Sequence, residues 1–134
     1  MAQPTVAVQK LSEIRAATAG KVRLFGGRGG QSLLSELRRG AIGSMPASLG
    51  VRGLAATFDA WDRGDEDAAR DSFARVAPVL LMRIQYSHQI AKAYLRHLGI
   101  FSTVVVRAPA GAPVDEIDLD ELLRAIERAE TVPM

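Results

Sequence analysis

The chain has 134 residues, the length of one compact domain. Apolar residues make up 48% of it and charged residues 24%, a composition that excludes a disordered chain. It has no cysteine, which excludes a disulfide scaffold, a thiolate metal site and a cysteine nucleophile. Neither a signal-peptide core nor an apolar run of the roughly 20 residues needed to span a membrane is found, so we expect a cytoplasmic protein with no membrane partner.

The charge balance argues against a nucleic-acid partner. The chain has seventeen basic and fifteen acidic residues, which gives a net charge of +2. Fourteen of the basic residues are arginines spread from Arg15 to Arg128, and the densest cluster is only Arg38 and Arg39. Nucleic-acid surfaces usually gather such residues on one face. We therefore expect no nucleic-acid partner.

The first half of the chain alternates helical and strand-like segments. A helix is predicted to start at Pro4 and Thr5 and to stop at Gly20. Its apolar side is formed by Val6, Leu11, Ile14 and Ala17. Residues 22–25 form a strand-like run that leads into a glycine-rich turn over residues 26–30.

A second helix and a second strand follow this turn. The helix is predicted over residues 32–39, with Gly40 as its stop, and the next apolar run covers residues 41–45 before Pro46. Parallel strands are buried on both faces and therefore read as apolar runs without alternation. The order is typical of a parallel strand–helix–strand unit.

The second half is predicted to be helical. One helix covers residues 49–63, and Asp65 caps a longer one in which Pro78 should introduce a kink or a break. The apolar stripe of this longer helix is formed by Ala69, Phe73, Val76, Leu80 and Ile84.

The remaining elements are shorter. Ser87 is predicted to cap a helix that Gly99 closes. Residues 103–107 are predicted to be extended, and Asp115 or Asp118 is predicted to open the last helix.

Two short parallel strands do not make a satisfactory sheet, because each leaves backbone groups that need partners. The difficulty disappears if the two strands are the last two of an eight-stranded β/α barrel, strands seven and eight, because the other barrel strands then supply the missing partners. We predict an α/β fold, the C-terminal portion of a TIM (β/α)8 barrel, predominantly helical. Residues 1–63 would be a partial barrel from helix six to helix eight, and residues 64–134 a C-terminal helical extension.

Four segments carry a resemblance to the dihydrodipicolinate synthase/N-acetylneuraminate lyase family. Residues 24–30 (LFGGRGG) and 33–46 (LLSELRRGAIGSMP) resemble the family's strands seven and eight. Residues 60–70 (AWDRGDEDAAR) resemble the helix-turn-helix that follows the barrel. The segment Arg107-Ala108-Pro109, with Pro113 and Leu122, is similar to the family's C-terminal tail. The match covers nearly all of this chain and less than half of a family member.

The resemblance implies class I aldolase chemistry on pyruvate or a related 2-keto acid. Family members hold the keto acid as a Schiff base on a lysine at the end of strand six, where the iminium acts as an electron sink, and a tyrosine from strand five relays protons. They read roughly Lys-x-Glu-x-x-Pro-Thr, whereas this sequence reads Met1-Ala2-Gln3-Pro4-Thr5. The lysine would fall at or just before Met1. We therefore expect no catalytic residue in this chain, no cofactor and no activity of the chain alone.

The lysines and tyrosines that the sequence does contain fit surface or packing roles better than catalysis. Lys10 belongs to the solvated face of the first helix, and Lys21 precedes strand seven, at the bottom of a barrel whose chemistry occurs at the top. Lys92, Tyr86 and Tyr94 fall in the appended helices.

Other catalytic patterns are also weak. His88 and His97 do not have a helical metal-ligand spacing, so no metal site is expected. The carboxylates Asp62, Asp65, Glu66 and Asp67 are explained by helix capping. The glycine turn lacks the Gly-Lys-Ser/Thr ending of a phosphate loop.

The candidate substrate-binding residues follow from the resemblance. Gly26 and Gly27 would lie at the barrel mouth, where small residues leave room for substrate. Ser44 and Met45 would end strand eight beside the keto acid and contact it partly through the backbone. Without the resemblance, the glycines form a tight strand-to-helix connection that is as often structural as ligand-lining, and Met45 is equally well explained by packing.

Two classes of function remain open. The chain is either the C-terminal part of a Schiff-base lyase, completed by strands one to six from another polypeptide or a preceding segment, or a non-enzymatic helical interaction protein derived from that family. In both cases the open barrel edge and the apolar strand faces need covering. We therefore expect a homo-oligomer or a complementing N-terminal half as partner.

Overall fold

The computed structural model describes residues 7–108 and 110–131. In this part of the chain, six helices and two strands follow one another: α1 (Ala7–Ala17), β1 (Gly26–Gly29), α2 (Leu33–Arg38), β2 (Ser44–Pro46), α3 (Val51–Asp62), α4 (Glu66–Tyr86), α5 (His88–His97) and α6 (Glu116–Glu130). The predominantly helical composition agrees with the prediction. Pro4, Thr5, Val6 and Pro109 lie outside the described residues.

The two strands pair in parallel, as the sequence predicts. Gly26 lies opposite Ser44, and Gly29 lies opposite Pro46, so β1 holds one more residue than β2 between the two pairs. The extra residue forms a bulge in β1. Within it Arg28 and Gly29 have φ angles of 53° and 71°, in the left-handed region.

The predicted boundaries of the first strand are wrong. The strand is the glycine segment of β1, not residues 22–25. Sheet-like hydrogen bonds do begin earlier, since the Ile42 N–H donates to the Leu24 carbonyl (2.9 Å) and the Gly26 N–H to the Gly43 carbonyl (2.8 Å). The second strand, predicted over 41–45, is likewise displaced toward Pro46. Glycines have no side chains and so show no apolar pattern. The strand was therefore predicted over the apolar residues 22–25 that precede them.

The hydrophobic core lies between α2 and the four later helices. The longest helix, α4, packs against α3 on one side and against α6 on another. The core consists of Leu33, Leu37, Leu49, Leu54, Val76, Val79, Leu80, Ile90, Leu122, Ile126 and Ala129.

Helix α4 runs without a break through Pro78, so of the two predicted alternatives, a kink or a break, the break is wrong. Pro78 is exposed, whereas Val76, Val79 and Leu80 around it are buried. Burial of these neighbours offsets the hydrogen bond that the proline ring removes. At the start of the helix the Asp65 side chain accepts a hydrogen bond from the Ala68 N–H (3.0 Å), as predicted.

The first helix is present but exposed, and one predicted cap is not formed. No residue of α1 is buried, and Ile14 of its apolar side is 42% exposed, although α1 contacts α2. Ser87 has a φ of 52° and its side chain makes no capping hydrogen bond to α5. This geometry follows from the sharp turn that separates α4 from α5.

The C-terminal region combines irregular backbone with a well-capped helix. Residues 103–107, predicted to be extended, belong to no helix and no strand. Of the two candidate caps for α6, Asp115 is the one used: its carboxylate accepts from the Asp118 N–H at 2.9 Å. Among the described helices, none has the length and apolar character needed to cross a bilayer.

Candidate functional site

A buried carboxylate joins the two strands to the helix between them. Glu36 lies on α2 and is 2% exposed. Its Oε1 accepts a hydrogen bond from the Gly27 N–H (3.2 Å), and its Oε2 accepts one from the Ser44 hydroxyl (3.2 Å). One side chain therefore satisfies a backbone donor of β1 and a side-chain donor of β2, which is how a buried carboxylate avoids the cost of losing water.

The carboxylate of Glu36 lies close against the backbone of Gly26. A Cβ atom added to Gly26 would lie 1.8 Å from Glu36 Oε2, closer than any side chain allows. Gly26 is also the register partner of Ser44. The absence of a side chain at Gly26 thus makes the room in which Glu36 reaches both strands.

The two faces of the sheet have different surroundings. Gly26 and Ser44 share the face that Glu36 covers. Because side chains alternate along a strand, Phe25 and Met45 belong to the opposite face. Phe25 is 58% exposed and Met45 is 69% exposed, so this second face is largely uncovered by the described residues.

A cavity of about 270 Å³ adjoins β2. Ser44 and Gly43 form its sheet wall, and Asp59 is its acidic lining residue. The rest of the lining is mostly apolar: Gly30, Leu33, Pro46, Val51, Leu54, Ala55 and Phe58.

The structure brings three of the four predicted site residues together. Gly26, Gly27 and Ser44 surround the Glu36 carboxylate, whereas Met45 follows Ser44 on the opposite face. Sequence reasoning missed Glu36. The signal available was its position between Leu33 and Leu37 on the inner side of a short helix, where a carboxylate needs partners.

The lysines of this chain lie away from the carboxyl ends of β1 and β2. Lys10 is an exposed residue of α1, and Lys21 is exposed before the sheet begins. Lys92, on α5, donates to the Val105 carbonyl and lies 5.9 Å from the centre of the Phe101 ring. Among the described residues, no group of three or more His, Cys, Asp or Glu side chains is placed to hold a metal ion.

A tyrosine–carboxylate hydrogen bond connects two of the later helices. The Tyr86 hydroxyl donates to Asp118 Oδ2, which links the end of α4 to the start of α6. This hydrogen bond raises the pKa of Tyr86, and burial and the negative charges of Asp118 and Asp115 raise it further. The pair fits a role in packing.

Comparison with known proteins gives matches to solved structures only. No protein-family model and no curated protein matches the sequence. The chain is similar to dihydrodipicolinate synthase from Rhodopseudomonas palustris (22% identity, TM-score 0.74, 90% of this chain and 42% of that one). It is also similar to 4-hydroxy-tetrahydrodipicolinate synthase from Methylacidiphilum fumariolicum (21% identity, TM-score 0.73, 96% of this chain and 43% of that one). A third match is chloride-inhibited dihydrodipicolinate synthase from Acinetobacter baumannii, complexed with pyruvate (19% identity, TM-score 0.71, 94% of this chain and 43% of that one).

These matches confirm the resemblance seen in the sequence, at the level of the fold. Almost all of this chain superimposes on a part of each synthase, and it spans about two-fifths of their length. The shared fold is mostly helical with a small parallel sheet.

Proposed function

We propose that this chain forms the C-terminal part of a dihydrodipicolinate synthase-type lyase that acts on pyruvate or a related 2-keto acid. In this proposal β1 and β2 are barrel strands seven and eight, residues 1–63 belong to the barrel and residues 64–134 extend it. Support comes from the shared fold and from the synthase that was solved with pyruvate. A cytoplasmic location fits this proposal.

The observation that carries the proposal is the way Glu36 ties the glycines of β1 to β2, two to three residues before the carboxyl ends of these strands at Gly29 and Pro46. Parallel α/β folds bind their ligands at the carboxyl end of the strands. Here Gly26 and Gly27 keep the first half of β1 free of side chains, and Glu36 fixes their backbone relative to Ser44. Backbone groups of Gly27, Ser44 and Met45 are thereby held in place for a small ligand.

The lysine nucleophile of this proposal comes from outside the present sequence. An aldolase of this class needs an amine at the reacting carbon, because the protonated imine is the electron sink for carbon–carbon cleavage. Lys10, Lys21 and Lys92 lie elsewhere. The 134-residue chain alone is therefore proposed to be inactive and to need the first six strands.

The test is reconstitution. The chain is mixed or co-expressed with a polypeptide that covers the first six β/α units of a synthase, and the mixture is treated with pyruvate and borohydride. The expected result is lyase turnover and a pyruvate adduct on the added polypeptide only. Gly26→Val, which collides with Glu36, should abolish the turnover. Gly111→Ala, in the loop before α6, serves as control, because a Cβ there would make only an ordinary contact with the Tyr86 carbonyl oxygen (3.9 Å). An adduct on Lys10, Lys21 or Lys92 would contradict the proposal.

A second candidate is a non-enzymatic interaction protein, and the uncovered sheet face favours it. Phe25 and Met45 expose apolar surface that a second copy or another polypeptide would cover. Under this candidate, the added six-strand polypeptide would bind without producing lyase activity, or the chain would only associate with itself.

A further inference from the structure

We infer that Arg83 is the residue that binds an anionic group of the substrate, a carboxylate or a phosphate remote from the reacting ketone. This inference rests on the proposed function, because it assigns the ligand of the same end of the sheet. Arg83 lies in the last turn of α4, outside the segments that carry the candidate keto-acid residues. It is nevertheless directed at the end of β1.

Contacts around Gly29 place the Arg83 guanidinium at the sheet. A Cβ atom added to Gly29 would lie 2.8 Å from Arg83 Nη1 and 2.9 Å from its Cζ. The same atom would lie 3.1 Å from the Cβ of Ala47, which follows β2. The Ala47 N–H donates to the Gly29 carbonyl at 3.3 Å, so the guanidinium packs where the two strands end together.

Arg83 has no hydrogen-bond acceptor and no ion pair among the described residues, although it is half-buried. Arg39, which is half-buried to a similar degree, donates instead to the Ser35 carbonyl at 2.9 Å. Within residues 7–108 and 110–131, no unpartnered side-chain nitrogen is sealed from solvent, so the Arg83 donors remain accessible. A guanidinium carries a permanent charge and a planar fork of donors that matches carboxylate and phosphate oxygens.

The charges nearby leave the guanidinium available. Glu36, the buried carboxylate at this sheet, is occupied by Gly27 and Ser44 and makes no ion pair with Arg83. Arg28 adds a second, exposed cation on the bulge of β1, where its positive φ is unfavourable for any residue but glycine. Among the described residues neither Arg83 nor Arg28 has an ion pair, so this end of the sheet carries uncompensated positive charge, which favours an anion.

The test is a titration of the isotope-labelled 134-residue chain, followed through the Gly29 and Ala47 amides and the Arg83 Nε signal. The probes are sodium phosphate and sodium acetate at constant ionic strength, with acetone as the neutral control. At least one anion should shift these three signals to saturation, whereas acetone should not. The anion that binds more tightly identifies a phosphate or a carboxylate as the recognised group.

Variants separate this role from general charge. Arg83→Gln should raise the apparent dissociation constant about ten-fold or more, because charge-assisted hydrogen bonds are lost. Arg83→Lys keeps the charge and loses the planar fork of donors, so its apparent dissociation constant should lie between those of the unmodified chain and Arg83→Gln. Arg52→Gln removes the same charge from an exposed residue of α3 paired with Glu130 and should change nothing. Saturable shifts that survive in Arg83→Gln, or no shifts with either anion, would overturn the inference.

The outcome is independent of the lyase test. Anion binding that depends on Arg83 in a chain that never reconstitutes a lyase would refute the proposed function and leave this site standing. A reconstituted lyase whose chain shows no Arg83-dependent anion binding would refute the inference alone.

Discussion

Glu36 is the residue on which the local geometry of both strands depends. It fills the space that Gly26 leaves empty and accepts hydrogen bonds from Gly27 and from Ser44. A neutral apolar residue of the same size would fill the space but leave both donors without acceptors. The carboxylate is therefore explained by hydrogen-bond satisfaction, and its contribution is measurable.

We expect Glu36→Ala to lower the free energy of unfolding by about 2 kcal/mol, because two donors at a buried site lose their acceptor. Glu36→Gln should cost less, since the amide oxygen can accept from Gly27 and the Ser44 hydroxyl can rotate to accept from the amide nitrogen. Urea denaturation measures both. Glu127→Ala, an exposed glutamate of α6, is the control and should stay within about 0.5 kcal/mol of the unmodified protein. A Glu36→Ala variant as stable as this control would contradict the assignment.

Tyr86 provides a pH-dependent contribution to stability. The hydrogen bond to Asp118 raises its pKa in the folded chain, so the folded state holds the phenolic proton more tightly than the unfolded state does. The stabilisation is complete below the usual tyrosine pKa of about 10 and is lost as the pH rises through the higher folded pKa. The difference in free energy of unfolding between the unmodified chain and Tyr86→Phe should therefore shrink as the pH rises through the folded-state pKa of Tyr86.

An absorbance titration checks the cause of this shift. In Asp118→Asn the carboxylate acceptor and its charge are gone, so the pKa of Tyr86 should return toward its usual value. A Tyr86 titration that is the same in Asp118→Asn and in the unmodified chain would show that Asp118 is not responsible.

At the scale of elements, α4 accommodates a proline that normally ends a helix. Pro78 is exposed, and the helix continues because the residues around it are buried in the core. Pro78→Ala restores the missing N–H and removes the ring clash, so we expect the free energy of unfolding to rise by about 2 kcal/mol. Asp71→Ala, at another exposed position of α4, is the control and should change stability by about 0.5 kcal/mol or less. An unchanged or lowered stability of Pro78→Ala would mean that the core requires the proline backbone.

The sequence predicts the helices better than the strands for a physical reason. Apolar periodicity and capping carboxylates such as Asp65 and Asp115 are local signals, and both caps are formed. The first strand consists of Gly26–Gly29, whose pairing is set by the partner strand and whose glycines carry no pattern. The apolar side of α1 follows from the same periodicity, but periodicity does not reveal whether another element covers that side, and Ile14 on it is exposed.

The candidate site could be predicted only in part. Gly26, Gly27 and Ser44 were reached through a family resemblance, and the structure brings them together around Glu36. Glu36 itself, on an apolar helix side, gives no signal of its partners until the strands are placed. Arg83 is separated from the glycine segment by more than fifty residues, so its approach to Gly29 depends entirely on tertiary packing.

For the whole molecule, the helices share a core that the sheet does not complete. The core runs from α2 through α6, whereas the sheet face that bears Phe25 and Met45 has no cover in the described part of the chain. An apolar face of this kind favours association, since burial contributes about 25 cal/mol per Å² of apolar surface. The question is whether this contribution exceeds the cost of immobilising a partner.

We expect the free energy gained by burying this apolar face to exceed the cost of immobilising a partner, so that the isolated chain self-associates. Sedimentation equilibrium should give an average mass above that of the monomer, rising with protein concentration. Met45→Glu introduces a charge at the centre of the uncovered face and should shift the protein toward monomer, because burying an unpaired carboxylate is costly. Ile117→Glu, at a 74% exposed position of α6 away from the sheet, is the matched control and should not change association. A compact monomer at all concentrations, or equal effects of both variants, would show that the sheet face does not drive association.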